Sequence, residues 1–254
     1  MKKILSILII ILISAGITIN WLYDTPSGCF EKAFAMGSTV CHQIPSHSYI
    51  HGENQFPLCA RCSGLYLGSF IGLIFFFTQG KKRALPKKEY IFLLVLLFIF
   101  WSGDGINSFI SDFINRPFLY ETTNTTRLIS GFGMGLVMSA ALMTLFNVTV
   151  WKTGKDQPLL VRPWQVAGYA VMSTLSGWLL LSPGETLFQI LAYISIVTVL
   201  TIITLLYTIF WVIVFKKEGQ FTKLSSLILF LIAGFGTAMG QITLLTWLRN
   251  WVFG

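Results

Sequence analysis

The chain has 254 residues, of which 54% are hydrophobic and 11% charged, and a mean hydropathy of +0.72. Those values exclude one or two soluble domains and leave lipid as the solvent. The net charge of +8 follows the loops between apolar runs, a pattern that points to a membrane rather than to nucleic acid.

Apolar runs long enough to cross a bilayer core of about 30 Å recur along the whole sequence. Seven spans are expected: Ile4–Leu22, Cys59–Thr78, Tyr90–Ile110, Leu128–Val150, Trp164–Leu181, Leu187–Phe215 and Leu224–Trp247. The fold class is therefore all-α, a polytopic transmembrane helix bundle of about seven spans with one Cys/His-rich loop. Lys2 and Lys3 precede the first run, which could be a cleaved signal peptide. It lacks a small-x-small cleavage site, so the reading is an uncleaved anchor. Four regions follow: an anchor at 1–22, a loop at 23–58, core helices at 59–150 and three further spans at 151–254.

Orientation comes from the retention of Lys and Arg on the cytoplasmic side. With the N-terminus inside, the inner segments hold thirteen of the 18 basic residues, clustered at 81–88, 152–162 and 216–223. The expected location is the cell membrane, with the loop at 23–58 extracytoplasmic and the lipid bilayer the main partner.

That loop holds all three histidines, His42, His47 and His51, and two of the four cysteines, Cys29 and Cys41. The other two, Cys59 and Cys62, form a CxxC after Pro57. This reads as the first helical turn of the second span, with both sulfurs on one face. Three chemistries suit the arrangement. Thiolates bind zinc or copper, with Cys41, Cys59 and Cys62 as ligands and His42 as the favoured fourth, because it adjoins Cys41. A thiol pair at a helix start, with Arg61 between the cysteines, also suits redox exchange with Cys29 and Cys41. Structural disulfides are the third reading. His47 and His51 read as solvated loop side chains.

The run Cys41-His42-Gln43-Ile44-Pro45-Ser46-His47-Ser48, followed by Phe56-Pro57-Leu58-Cys59-Ala60-Arg61-Cys62-Ser63-Gly64-Leu65-Tyr66-Leu67-Gly68, resembles the core of an uncharacterised prokaryotic membrane-protein family, domain of unknown function 2085. Asp104-Gly105 and Asn124-Thr125-Thr126-Arg127 resemble further features of that family. The resemblance implies a multi-span protein with a Cys/His core and supplies no activity. His47 stands where the family often has arginine.

Ionisable residues inside spans are costly and each marks a candidate site. Asp104 falls in the outer half of span three, Asn107 one turn further, and Arg127 at the start of span four. An Asp104–Arg127 ion pair would join these spans. Alternatively, Asp104 serves as an acid, base or ligand and Arg127 binds an anionic or carbonyl group. Glycines four residues apart, at Gly64, Gly68 and Gly72 and at Gly131 and Gly135, predict close packing of spans two and four. A Ser182-Pro183-Gly184-Glu185 turn is expected between spans five and six. No nucleotide-binding or hydrolase motif is present.

Overall fold

A computed structural model describes residues 2–182 and 184–253; Pro183 of the expected turn and the side chains of Lys2 and Lys3 lie outside the described residues. With no water in a bilayer core, backbone groups there must be paired within the chain, so the apolar runs fold as helices. They are α1 (Lys2–Asp24), α3 (Ala60–Thr78), α4 (Lys88–Ile114), α5 (Asn124–Val150), α6 (Pro163–Leu180), α7 (Glu185–Val214) and α8 (Leu224–Phe253), and a short α2 (Cys29–Gly37) lies between α1 and α3. Six of these, all but α2 and α6, are long and apolar enough to cross a membrane.

Helix α6 occupies the expected fifth span. Its eighteen residues include Gln165, Ser173, Thr174 and Ser176, which lower its apolar average. It nevertheless runs between the same two ends as its neighbours. Near its start Gln165 donates to Gln79 at the end of α3, and near its finish Gly177 abuts Leu128 and Phe132 at the start of α5.

The bundle has two distinct ends. At one, Lys81 donates to the Thr222 carbonyl, the Lys152 amide donates to Phe221 O, and β3 (Lys82–Ala84) pairs in parallel with β4 (Lys155–Pro158). The three basic clusters of the sequence therefore meet at this basic end. At the other, β1 (Ser48–His51) and β2 (Asn54–Cys59) form an antiparallel hairpin. Gly52, with φ 59°, sits in its two-residue turn, as a left-handed position there favours. The hairpin packs on α7 through Phe56 and Phe188, whose rings meet edge to face.

Helices α3 and α5 form the closest pair. A Cβ on Gly64 would run into the Leu128 carbonyl, and one on Gly131 into the Arg61 carbonyl; on Gly135 it would lie 2.7 Å from Leu65 O. The glycine spacing thus allows backbone-to-backbone contact, as the sequence pattern predicts. Elsewhere one such approach joins α7 and α8, where a Cβ on Gly234 would lie 2.6 Å from Thr204 O, and side chains make further contacts. Tyr207 Oη donates to Gln241 between α7 and α8, and Gly236 of α8 faces Ser14 of α1.

Candidate metal centre

The loop preceding α3 is folded back by one residue more than any other. Gln43 takes the left-handed conformation (φ 54°) and is buried, and its amide donates to Phe34 O of α2 and Pro57 O of β2 at 2.8 Å each. Gln55 donates in turn to the Gln43 carbonyl. Gly37 has its Cα hard against the Pro57 carbonyl, so α2 and β2 approach as closely as backbones allow. These contacts bring Cys41 to the point where β2 ends and α3 begins.

There the sulfurs of Cys41, Cys59 and Cys62 all lie within 4.8 Å of one another, with Cys41 and Cys59 buried. The Cys59 amide donates to Cys41 Sγ at 3.1 Å, an interaction that favours the thiolate. Cys59 is the last residue of β2 and precedes the first helical residue, Ala60, instead of opening the helix as the spacing suggested. Pro57 likewise belongs to the strand. Hydrogen bonds from Cys41, then Cys62, then His42 hold the Cys59 thiol far below its ordinary range despite burial. Its bond to Cys59 and burial push the Cys41 thiol up to about 11. Of these two thiols, Cys59 is therefore the one set to lose its proton first.

The remaining sequence candidates divide. Cys29 opens α2, is exposed, and stands outside the sulfur group. His42, the fourth ligand expected from sequence, stands beside Cys59 but outside the group of three sulfurs, and its Nδ1 accepts the Ile44 amide at 3.0 Å. A neutral imidazole whose Nδ1 accepts carries its proton on the other nitrogen, so His42 is set to donate to sulfur. His47 stacks edge-on against His42 and lies 3.5 Å from Asp112, and burial, then the charge of Arg127, lowers its pKa. His51 packs against Phe188.

The ion pair expected between Asp104 and Arg127 forms with a different arginine. Arg61, the residue between Cys59 and Cys62, donates to Asp104 Oδ2 from Nε at 2.9 Å and from Nη2 at 2.6 Å. Ser130 donates to the same oxygen and Tyr120 to Oδ1. Asp104 is fully buried, with four hydrogen bonds to offset the cost of its charge. Arg61 reaches it because α3 and α5 touch at Gly131, beside the Arg61 carbonyl. Arg127 instead donates to Asn124 and Ser108, and its buried Nε has no partner among the described residues. Asn107 binds Tyr120 O, Thr122 and the Leu119 amide, tying down the segment between α4 and α5.

Two supports were not evident in the sequence. Arg249, at the far end of α8, donates to Ser38 O and Cys41 O, and Tyr49 of β1 donates to Asn124 O. Each reaches across more than 70 residues of chain, a separation that leaves no local pattern to read.

Helices of membrane-spanning length, arranged around a buried charge and a thiol cluster at one end, define a polytopic membrane protein. Residues 41–141 match the family described as "Predicted membrane protein (DUF2085)", the one that the CHQ and PLCARC runs resemble. Two archaeal relatives share this region. An uncharacterised protein of Methanocaldococcus jannaschii is 29% identical over 124 residues, which cover 48% of this chain and 73% of the relative. An uncharacterised protein of Methanothermobacter thermautotrophicus is 28% identical over 106 residues, covering 42% and 86%. No solved structure matches. The matched stretch spans the sulfur group, Arg61, Asp104 and the α3–α5 contact.

Proposed function

We propose that Cys41, Cys59 and Cys62 bind a thiophilic metal ion, zinc or copper(I), at the extracytoplasmic face of a multi-pass cell-membrane protein whose N-terminus is cytoplasmic. The observation that carries this reading is the mutual approach of three sulfurs to within 4.8 Å from two separate parts of the chain. Thiolates suit both ions, and the Cys59 amide donated to Cys41 Sγ adds to their stabilisation. His42 is the fourth ligand favoured by sequence. In this geometry it is better suited to donate to Cys59 Sγ, because its Nδ1 already accepts the Ile44 amide. That leaves three protein ligands and one open position, the coordination of a reactive zinc site or a trigonal copper(I) site. Asp104 acts through Arg61 as a positioning residue for the CxxC turn. Arg127, with Nε free, is the group available to an anionic or carbonyl ligand nearby, and Asn107 anchors the adjoining segment.

The rival is a membrane thiol–disulfide oxidoreductase working through Cys59 and Cys62. The exposed Cys29, set apart from the three clustered sulfurs, does not favour the four-cysteine exchange it would use. A transporter or receptor clipped by structural disulfides meets the same objection. Elemental analysis of the purified protein, paired with thiol counting before and after denaturation, separates these readings. About one zinc or copper per chain is expected, lost on Cys59→Ser or Cys62→Ser and kept on Cys29→Ser. A Cys59–Cys62 disulfide in metal-free protein overturns the metal reading.

A further inference from the structure

The end of the bundle opposite the cysteines holds three adjoining cavities. An apolar one of about 410 Å³ lies between α3, α5, α7 and α8, walled by Phe70, Leu73, Met143, Phe146, Thr201 and Leu231. It meets a neck of about 190 Å³ at Phe77, Met143, Phe146 and Leu224. The neck shares Gly80 and Lys81 with a polar mouth of about 430 Å³, lined also by Gln79, Thr153 and Lys155. The apolar part falls within the range of ligand pockets, about 300–1,000 Å³.

We propose that this channel holds one anionic phospholipid of the membrane leaflet at the basic end, with its phosphate between Lys81 and Lys155 and an acyl chain in the apolar cavity. Charge selects the occupant. Among the described residues, the ion pairs are His47–Asp112 and Arg61–Asp104, both at the cysteine end, so no lysine around the mouth is paired with an acid. Lys81 is held in place rather than free to swing, because its ammonium lies 3.8 Å over the Trp151 ring and donates to Thr222 O. Lys155 is exposed, and its backbone is fixed to the same strand pair by the hydrogen bond its amide donates to Lys81 O. Burial, and then the charges of Lys155 and Arg162, depress the pKa of neighbouring Lys82, as expected where positive charge is crowded. Helix α8 begins at Leu224 on the wall of the neck, and the positive end of a long helix adds to the preference for an anion. The apolar walls belong to helices, with Ile74 and Phe77 exposed on the lipid side, so an acyl chain enters sideways from the bilayer.

This assignment does not depend on the metal. It is tested by native mass spectrometry of the full chain in mild detergent, with phosphatidylglycerol and phosphatidylcholine of identical chains at equal concentration. Each of the two lysines near the lipid phosphate contributes about fivefold, so retention of phosphatidylglycerol should exceed that of phosphatidylcholine by roughly 25-fold. Lys155→Gln should cut the excess by about fivefold. Thr201→Trp, which fills the apolar cavity, should remove the adduct of long-chain phosphatidylglycerol while leaving the melting temperature and metal content unchanged. Equal retention of the two lipids, an adduct untouched by both variants, or displacement of the lipid by millimolar inorganic phosphate would each overturn the proposal. The last outcome would mark a free-anion site.

Discussion

Two helix pairs in this bundle are joined by different proportions of backbone and side-chain contact. Helices α3 and α5 meet backbone to backbone at Gly64, Gly131 and Gly135, with nothing between them that can yield. Helices α7 and α8 touch backbone to backbone at one glycine, Gly234 beside Thr204 O, and otherwise meet through side chains, Tyr207 with Gln241 and Trp211 with Thr237. Beside this second pair, along α1 and α8, lie grooves of about 470 and 630 Å³. The rigid pair is the one that carries chemistry. Arg61 and Cys62 ride on α3, while Ser130 rides on α5 and reaches the same Asp104 oxygen as Arg61. A buried ion pair tolerates little error in distance, and a glycine contact fixes distance where a hydrogen-bonded side-chain contact can slide.

Arg61→Ala attacks the rigid pair most directly and should have the largest effect. It leaves Asp104 buried without its counter-charge, a loss expected to cost about 3–5 kcal/mol, measured by thermal unfolding in detergent. Arg127→Ala should cost clearly less, because Asp104 keeps its partner. Equal losses would mean that the charge is shared between the two arginines.

Gly64→Ala should cost about 1–3 kcal/mol, since the new methyl meets the Leu128 carbonyl and α3 must move away from α5. Gly240→Ala in α8 meets only the tip of the Ile17 side chain, at 3.9 Å, and should be nearly neutral. A reversal of this order would break the contrast between glycines that touch a neighbouring backbone and glycines that do not.

Gln43→Ala should cost about 1 kcal/mol by removing bonds to Phe34 O and Pro57 O. Its sharper signature is local. Amide exchange should rise in β2 and around Cys41 before it rises in α3. The smallest change is expected from Gln241→Leu, about 0.6 kcal/mol, the average for a side-chain hydrogen bond between membrane helices. If it matched Gly64→Ala, a side-chain contact between α7 and α8 would be as critical as a glycine contact between α3 and α5.

The sequence by itself determined the all-α class, the helix boundaries to within a few residues, the separation of basic clusters from the cysteine end, and the α3–α5 contact. Each depends on local periodicity or on residue spacing along one helix, so a single segment contains the signal. It also pointed to Cys41, Cys59 and Cys62 as a group, because their neighbours mark a loop that turns back on itself. Only the tertiary structure decided which arginine meets Asp104. Arg61 and Arg127 enter the bundle at similar depth, and depth along a helix says nothing of which face a side chain leaves from. It also decided that Cys59 ends a strand. The β1–β2 hairpin is held by Gln43 of the loop and Asn124 of a distant helix, and Arg249 of another helix holds the segment before it. His42 was chosen by adjacency to Cys41, and its role turned instead on the Ile44 amide that occupies Nδ1. Hydrogen-bond direction is set by what surrounds a side chain in space, which neighbours in sequence do not record.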